Sequence, residues 1–161
     1  MILLYHGGTD KVARPVCKFG RPYLDFGPGF YLTDIRQQAV DWAKRQAVDR
    51  RLNPMLNVYS FKQEEAIVRY RYLRFEAYDE AWLDFIVDCR QGRDVWLDYD
   101  IVEGGVANDR VIDTVELYTL GFLGKSEALG RLSEHQPNNQ ICILSQEVIE
   151  EYLEFLRAEE L

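Results

Sequence analysis

The chain reads as an α+β domain in which strands and helices interleave without a regular βαβ repeat. Three observations predict this. Short runs of strand-forming residues, such as Ile2-Leu3-Leu4-Tyr5 and Phe30-Tyr31-Leu32, are bounded by glycine and proline. Between them lie stretches with apolar residues at helical spacing, as at Trp82, Phe85, Ile86 and Cys89. With 161 residues, 47% apolar and 29% charged, the chain has the size and composition of one domain, spanning residues 1–161, with its own core.

Residues 2–6 read as a strand ending on His6-Gly7-Gly8. A long connection over residues 10–28 carries Pro15, Gly20, Pro22, Gly27 and Pro28, and connections of that length are often binding elements. After Tyr31, Asp34 reads as the N-cap of a helix through about Val48, with Ile35, Ala39, Trp42, Ala43 and Gln46 on one face. Asn57 to Phe61 alternates as a strand, and residues 79–90 form a second helix. Tyr99 to Val102 reads as a short strand, followed by helices near 110–120 and from Ser126 to Leu132. Gln140 to Leu144 is a strand. The pattern then predicts a closing helix from an N-cap at Ser145 to about Arg157, burying Val148, Ile149, Tyr152, Leu153 and Leu156.

Composition narrows the function. Nineteen Lys and Arg against 27 Asp and Glu give a formal charge of -8, which argues against a nonspecific grip on nucleic-acid backbone. Local clusters at Arg69, Arg71 and Arg74, and at Lys44, Arg45, Arg50 and Arg51, read as solvated surface. Cys17, Cys89 and Cys142 stand in no paired motif, and Cys17 and Cys89 have no histidine close in sequence to activate them as nucleophiles. With two histidines in the chain, no metal-ligand set is expected. The N-terminus lacks a signal-peptide pattern and no run reaches membrane-spanning length, so a cytoplasmic protein with free thiols and no membrane partner is expected.

The chemistry-bearing segment is Asp25-Phe26-Gly27-Pro28-Gly29-Phe30-Tyr31-Leu32-Thr33, downstream of His6-Gly7-Gly8. Its Gly-Pro-Gly turn delivers Tyr31, and Trp42 follows eleven positions later. Taken singly, His6 suits a structural role at a strand end, Tyr31 a strand core, Trp42 core packing and Asp25 a turn cap. Asn108 and Asp109 suit a helix cap or a ribose-binding role. No phosphate loop or dinucleotide fingerprint is present.

Together, His6-Gly7, Gly27-Pro28-Gly29-Phe30-Tyr31-Leu32 and Trp42 resemble the NAD-binding half of diphtheria-toxin-like and poly(ADP-ribose)-polymerase-like ADP-ribosyltransferases. The whole pattern is similar to a bacterial family, domain of unknown function 3990. Its marks here are the Asp25 to Thr33 segment, Trp82-Leu83-Asp84-Phe85-Ile86, Tyr99 to Asp109, and the late Asn139-Gln140. The resemblance implies an ADP-ribosyltransferase-like split mixed β-sheet flanked by helices. It implies NAD as substrate, no metal, and a mono-ADP-ribosyltransferase that acts as an effector or toxin-antitoxin toxin, with an antitoxin partner and an unassigned acceptor. His6, Tyr31 and Gln140 take the catalytic positions, and Gly7, Gly8, Asp25, Gly27, Gly29, Thr33 and Trp42 the cofactor-binding ones.

Within that resemblance, Gly7 offers backbone groups to the carboxamide, His6 bonds a ribose hydroxyl, and Tyr31 and Trp42 flank the nicotinamide ring. Gln140 stands where the family has a glutamate. It keeps hydrogen bonding but carries no charge, so a catalytically weak or inactive NAD- or ADP-ribose-binding or interaction module is the alternative. Asp100, Glu103 and Asp109 are the candidate substitute carboxylates.

Overall fold

The computed structural model describes residues 1–17, 23–108 and 110–161. Among these, the chain forms two β-sheets and six α-helices, the mixed α+β arrangement that the pattern predicts. The elements run β1 (Ile2–Gly8), β2 (Phe30–Leu32), α1 (Arg36–Arg50), β3 (Met55–Phe61), α2 (Gln63–Arg69), β4 (Tyr72–Arg74) and α3 (Glu80–Arg90). A 3-10 turn at Val95–Asp98 precedes β5 (Ile101–Gly104), α4 (Ile112–Thr119), α5 (Lys125–Leu132), β6 (Gln140–Ile143), α6 (Gln146–Tyr152) and β7 (Leu153–Glu160).

One sheet has the order β1-β3-β7, all antiparallel, and the other the order β2-β6-β5-β4, in which only the β4–β5 pair is parallel. Strand alternation sorts the side chains into layers. Leu4, Tyr59 and Phe61 of the first sheet share a buried cluster with Phe30, Leu32, Ile101, Ile141 and Ile143 of the second. On the other face of the second sheet, Val102 and Cys142 join Trp82, Phe85 and Ile86 of α3, with Val115, Ala128 and Leu132 from the following helices. Helix α1 covers the outer face of the first sheet, setting Ala39 and Val40 against Leu56 and Val58.

Four local expectations change. Asp34 is not the cap of α1: Ile35 precedes the helix in an extended conformation, Thr33 Oγ1 accepts from Ile35 N at 3.0 Å, and Asp34 Oδ1 accepts from Asn139 Nδ2. The buried stripe of α1 is Ala39, Val40, Ala43 and Ala47, which leaves Ile35 39% and Trp42 51% exposed. The closing helix stops at Tyr152, and residues 153–160 pair with β3 instead. Leu153 is therefore half-buried and Leu156 exposed. The short strand expected at Tyr99 begins at Ile101, because Asp100 turns its carboxylate onto Arg71.

Candidate functional site

His6 lies at an inward position of β1, and its ring stacks on Phe30 with centroids 4.5 Å apart. Its Nδ1 lies 2.8 Å from the Tyr31 carbonyl oxygen, which can only accept, so Nδ1 carries the proton and donates. Burial pushes the imidazole below its ordinary value and keeps the ring neutral. Nε2 is then an acceptor. A Cβ added at Gly8 would stand 3.7 Å from it, at ordinary contact distance.

Gly7 and the next strand are arranged by backbone pairing. Tyr5 N donates to Thr33 O at 2.8 Å and Thr33 N donates to Tyr5 O at 3.0 Å, so Tyr5 turns its peptide groups away from β3. Alternation directs the N–H and C=O of Gly7 to the same side. Beyond Thr33 the chain enters α1, and among the described residues no backbone partner takes them. On its other side Gly7 is pressed against α1, where a Cβ would lie 2.0 Å from Ala39 O. The glycine thus admits the helix and leaves a free peptide edge beside His6.

The glycine turn is fixed from three directions. Tyr31 Oη donates to Gly27 O at 2.6 Å and accepts from Phe26 N at 3.0 Å, folding the phenol back onto its own turn. Burial of that phenol pushes its pKa well up. Gly27 has φ of +96°, and a Cβ there would meet Trp96 at 2.6 Å, while one on Gly29 would meet Cys142 Sγ at 2.5 Å. Both glycines therefore serve close packing as well as the turn. Asp25 Oδ1 accepts from Arg90 Nε at 2.7 Å and Oδ2 from Ala107 N at 3.4 Å, tying the turn to α3 and to the loop after β5.

Strand β6 brings in the late position. Tyr31 pairs with Cys142 on β6, so Gln140 lies two residues along on the same face. Gln140 is 8% exposed and its Nε2 has no partner. Thr33 Oγ1 and Gln38 Nε2 both donate to Asn139 O, at 2.7 and 2.8 Å, which locks α1 and β2 to the entry of β6. Trp42, which is exposed, lies one helical turn beyond the half-buried Gln38, whereas the Tyr31 ring packs against the α3 cluster.

On the opposite face of β5 and β6 the sequence gives little warning of what converges. Glu103 is 7% exposed, and its Oε2 accepts from Tyr72 Oη at 2.5 Å, Gln63 Nε2 at 3.2 Å and Arg74 Nε at 2.9 Å. Its Oε1 accepts from Asn139 Nδ2 at 3.0 Å. This network borders a cavity of about 360 Å³ lined by Asp34, Ile35, Arg74, Glu103, Asn138 and Asn139, among others. Of the candidate carboxylates, Asp100 is spent on Arg71, which holds it below its ordinary value, Glu103 faces the cavity, and Asp109 lies outside the described residues. Asn108 holds the turn before α4, whose N-cap is Val111: its Oδ1 accepts from Arg110 N, and its carbonyl accepts from Val111 N and Ile112 N.

Asn57, missed in the sequence, is fully buried at the position opposite His6. Its Oδ1 accepts from Val12 N and its Nδ2 donates to Asp10 O, holding the loop beyond β1. A polar residue on the face shared with Tyr59 and Phe61 was the available signal. Cys17, Cys89 and Cys142 are buried free thiols; burial pushes Cys17 up to about 11 and Cys89 up to about 12, which suits packing and not nucleophilic attack. Arg69, Arg71 and Arg74 pair with Glu151, Asp100 and Glu103. Among the described residues there is no group of three metal-ligating side chains, and no helix is long and apolar enough to cross a membrane.

Comparison with known proteins gives one match. No curated protein and no solved structure matches the chain. A family model, that of the protein of unknown function (DUF3990), matches residues 2–155, spanning every element from β1 into β7, and the chain belongs to that family.

Proposed function

We propose that the chain takes NAD against His6 and Gly7 and is a mono-ADP-ribosyltransferase. The observation that carries this reading is the free peptide edge of Gly7 next to a neutral, singly oriented His6. A primary carboxamide both donates and accepts, which matches a free C=O and N–H in one plane. With Nδ1 donating to the Tyr31 carbonyl, Nε2 of His6 is the acceptor for a ribose hydroxyl.

In the reaction the bond between nicotinamide nitrogen and ribose C1′ breaks, and its electron pair leaves on nicotinamide. The acceptor nucleophile bonds to C1′ and releases its proton to solvent. The cationic, oxocarbenium-like state gains from any nearby negative charge. Gln140 supplies none, and Glu103 and Asp34 are carboxylates held at the neighbouring Asn139, each accepting from its Nδ2 at 3.0 Å. The neutral Gln140 favours a second reading, a module that binds NAD or ADP-ribose without turnover.

The role as a bacterial effector or toxin-antitoxin toxin and the antitoxin partner rest on the resemblance of the His6-Gly7 and Gly27 to Tyr31 motifs alone, and the cytoplasmic setting is supported by the three free cysteines. Incubating the chain with labelled NAD and a cell lysate separates the readings. Transfer of label with release of nicotinamide supports the transferase, and binding without either supports the module.

A further inference from the structure

The cavity of about 360 Å³ beside Glu103 holds unused hydrogen-bonding capacity of one kind. Each carboxylate oxygen has two lone pairs. Glu103 Oε2 accepts from Tyr72 Oη, Gln63 Nε2 and Arg74 Nε, whereas Oε1 accepts only from Asn139 Nδ2. Room is left on Oε1, and Oε1 is the oxygen on the cavity side: Asn139 lines the cavity, while Tyr72 and Gln63 do not. Glu103 is only 7% exposed, so the cavity is the route by which an outside donor reaches that oxygen. Asn139 Nδ2 also donates to Asp34 Oδ1, on the cavity wall. One amide nitrogen at 3.0 Å from both acceptors sets the two carboxylate oxygens about 5 Å apart.

The charged groups of the lining are Asp34, Glu76 and Glu103 against Arg74, and Arg74 is already paired with Glu103 at 2.8 Å. Such a lining repels phosphate and carboxylate and draws a cation that carries several donors. Ile35, Phe75 and Pro137 give the same cavity an apolar wall. We infer that this cavity is a binding site for the guanidinium group of an arginine side chain. Its planar fork spreads five donors over three nitrogens, which suits two acceptors about 5 Å apart, Asp34 and Glu103 Oε1. The aliphatic stem behind it lies along the apolar wall, with Phe75 offering a ring to the cation. His6, Gly7 and Tyr31 are not among the lining residues, so the inference goes beyond the NAD reading and does not depend on it.

The test is calorimetric titration of the natural chain, without NAD, with N-acetylarginine amide, free arginine, N-acetyllysine amide and N-acetylcitrulline amide. The arginine amide is expected to bind with Kd on the order of 1 mM, and the uncharged citrulline probe of the same shape about tenfold more weakly. The lysine probe, a point donor, should also bind more weakly than arginine. Tighter binding of the arginine amide than of free arginine assigns the site to a peptide side chain, and the reverse assigns it to the free amino acid. Asp34→Asn should weaken arginine about tenfold and keep Tm within about 2 °C, because Asp34 is exposed. Glu103→Gln should weaken it as well, but it also strips Arg74 of its partner and lowers Tm, so Asp34→Asn is the deciding variant. No binding of the arginine amide at about 10 mM, equal binding of the citrulline or lysine probe, or arginine binding that Asp34→Asn leaves unchanged would overturn the inference. None of these results bears on NAD, which a separate titration tests.

Discussion

Replacing Gly7 by alanine tests how β1 and α1 are fitted together. A Cβ at Gly7 would stand 2.0 Å from Ala39 O, 2.9 Å from Ala39 C and 3.1 Å from Ala43 N. All three are backbone atoms of a 15-residue helix, so no rotamer change relieves the overlap. Restoring ordinary contact requires α1 to lift by more than about 1 Å, which loosens Ala39, Val40, Ala43 and Ala47 from the sheet. Over-packing of this kind costs about 1–3 kcal/mol, and helix backbone with no freedom to yield puts Gly7→Ala at about 3 kcal/mol. The reduced freedom of the unfolded alanine chain offsets only about 0.4–1 kcal/mol of it. For a chain of this size the net loss lowers Tm by roughly 4–10 °C. Gly8→Ala is the control, because its nearest neighbour, His6 Nε2, lies at 3.7 Å. That change should move Tm by less than about 3 °C. Scanning calorimetry on both variants is the assay. A Gly7→Ala chain melting within about 2 °C of the natural one would refute the close approach.

Other outcomes follow from the same geometry. Burial lowers the His6 pKa in the folded state, so the unfolded chain binds a proton more readily below pH about 6.5. Stability should be fully present above that pH and decline as the pH falls below it. His6→Gln should flatten that slope in thermal melts, and an unchanged slope would contradict a neutral buried His6. At the glycine turn, Asp25→Ala and Arg90→Ala each remove a half-buried ion pair and should cost about 1–2 kcal/mol by urea denaturation, discounted for partial exposure. The double variant should be little worse than either single one, and additive losses would mean the pair is not coupled.

Elements with strong local periodicity were legible in the sequence, and elements held by distant partners were not. Helix α3 could be read from Trp82, Phe85, Ile86 and Cys89, all buried, and from Asp79, whose carboxylate accepts from Trp82 N. Strands β1, β2 and β6 were readable from apolar runs beside glycine or proline. The segment from Leu153 misled because its glutamates and leucines have high helix propensity, yet pairing with β3 overrides that preference. Helix α2 and strand β4 went unseen because they are short and rich in charge, and β4 gains its place only from parallel pairing with β5.

The candidate site divides the same way. The motif containing Tyr31 stood out locally, but the packing duties of Gly27 and Gly29 depend on Trp96 and Cys142, far away in sequence. Glu103 was one candidate carboxylate among three until Gln63, Tyr72, Arg74 and Asn139 were seen to converge on it. Gln38 gave no signal, because a glutamine between polar neighbours in a helix is ordinary until its amide meets the entry to β6.

The measurement that bears most directly on the central proposal is nicotinamide release from NAD by the natural chain, His6→Ala and a Gly7 variant that folds. The account predicts release by the natural chain, with transfer of label to an acceptor in lysate, and loss of both in His6→Ala assayed well below its own Tm, which removal of the packed ring should lower. Release that persists in His6→Ala, or an absence of NAD binding by the natural chain, would contradict it.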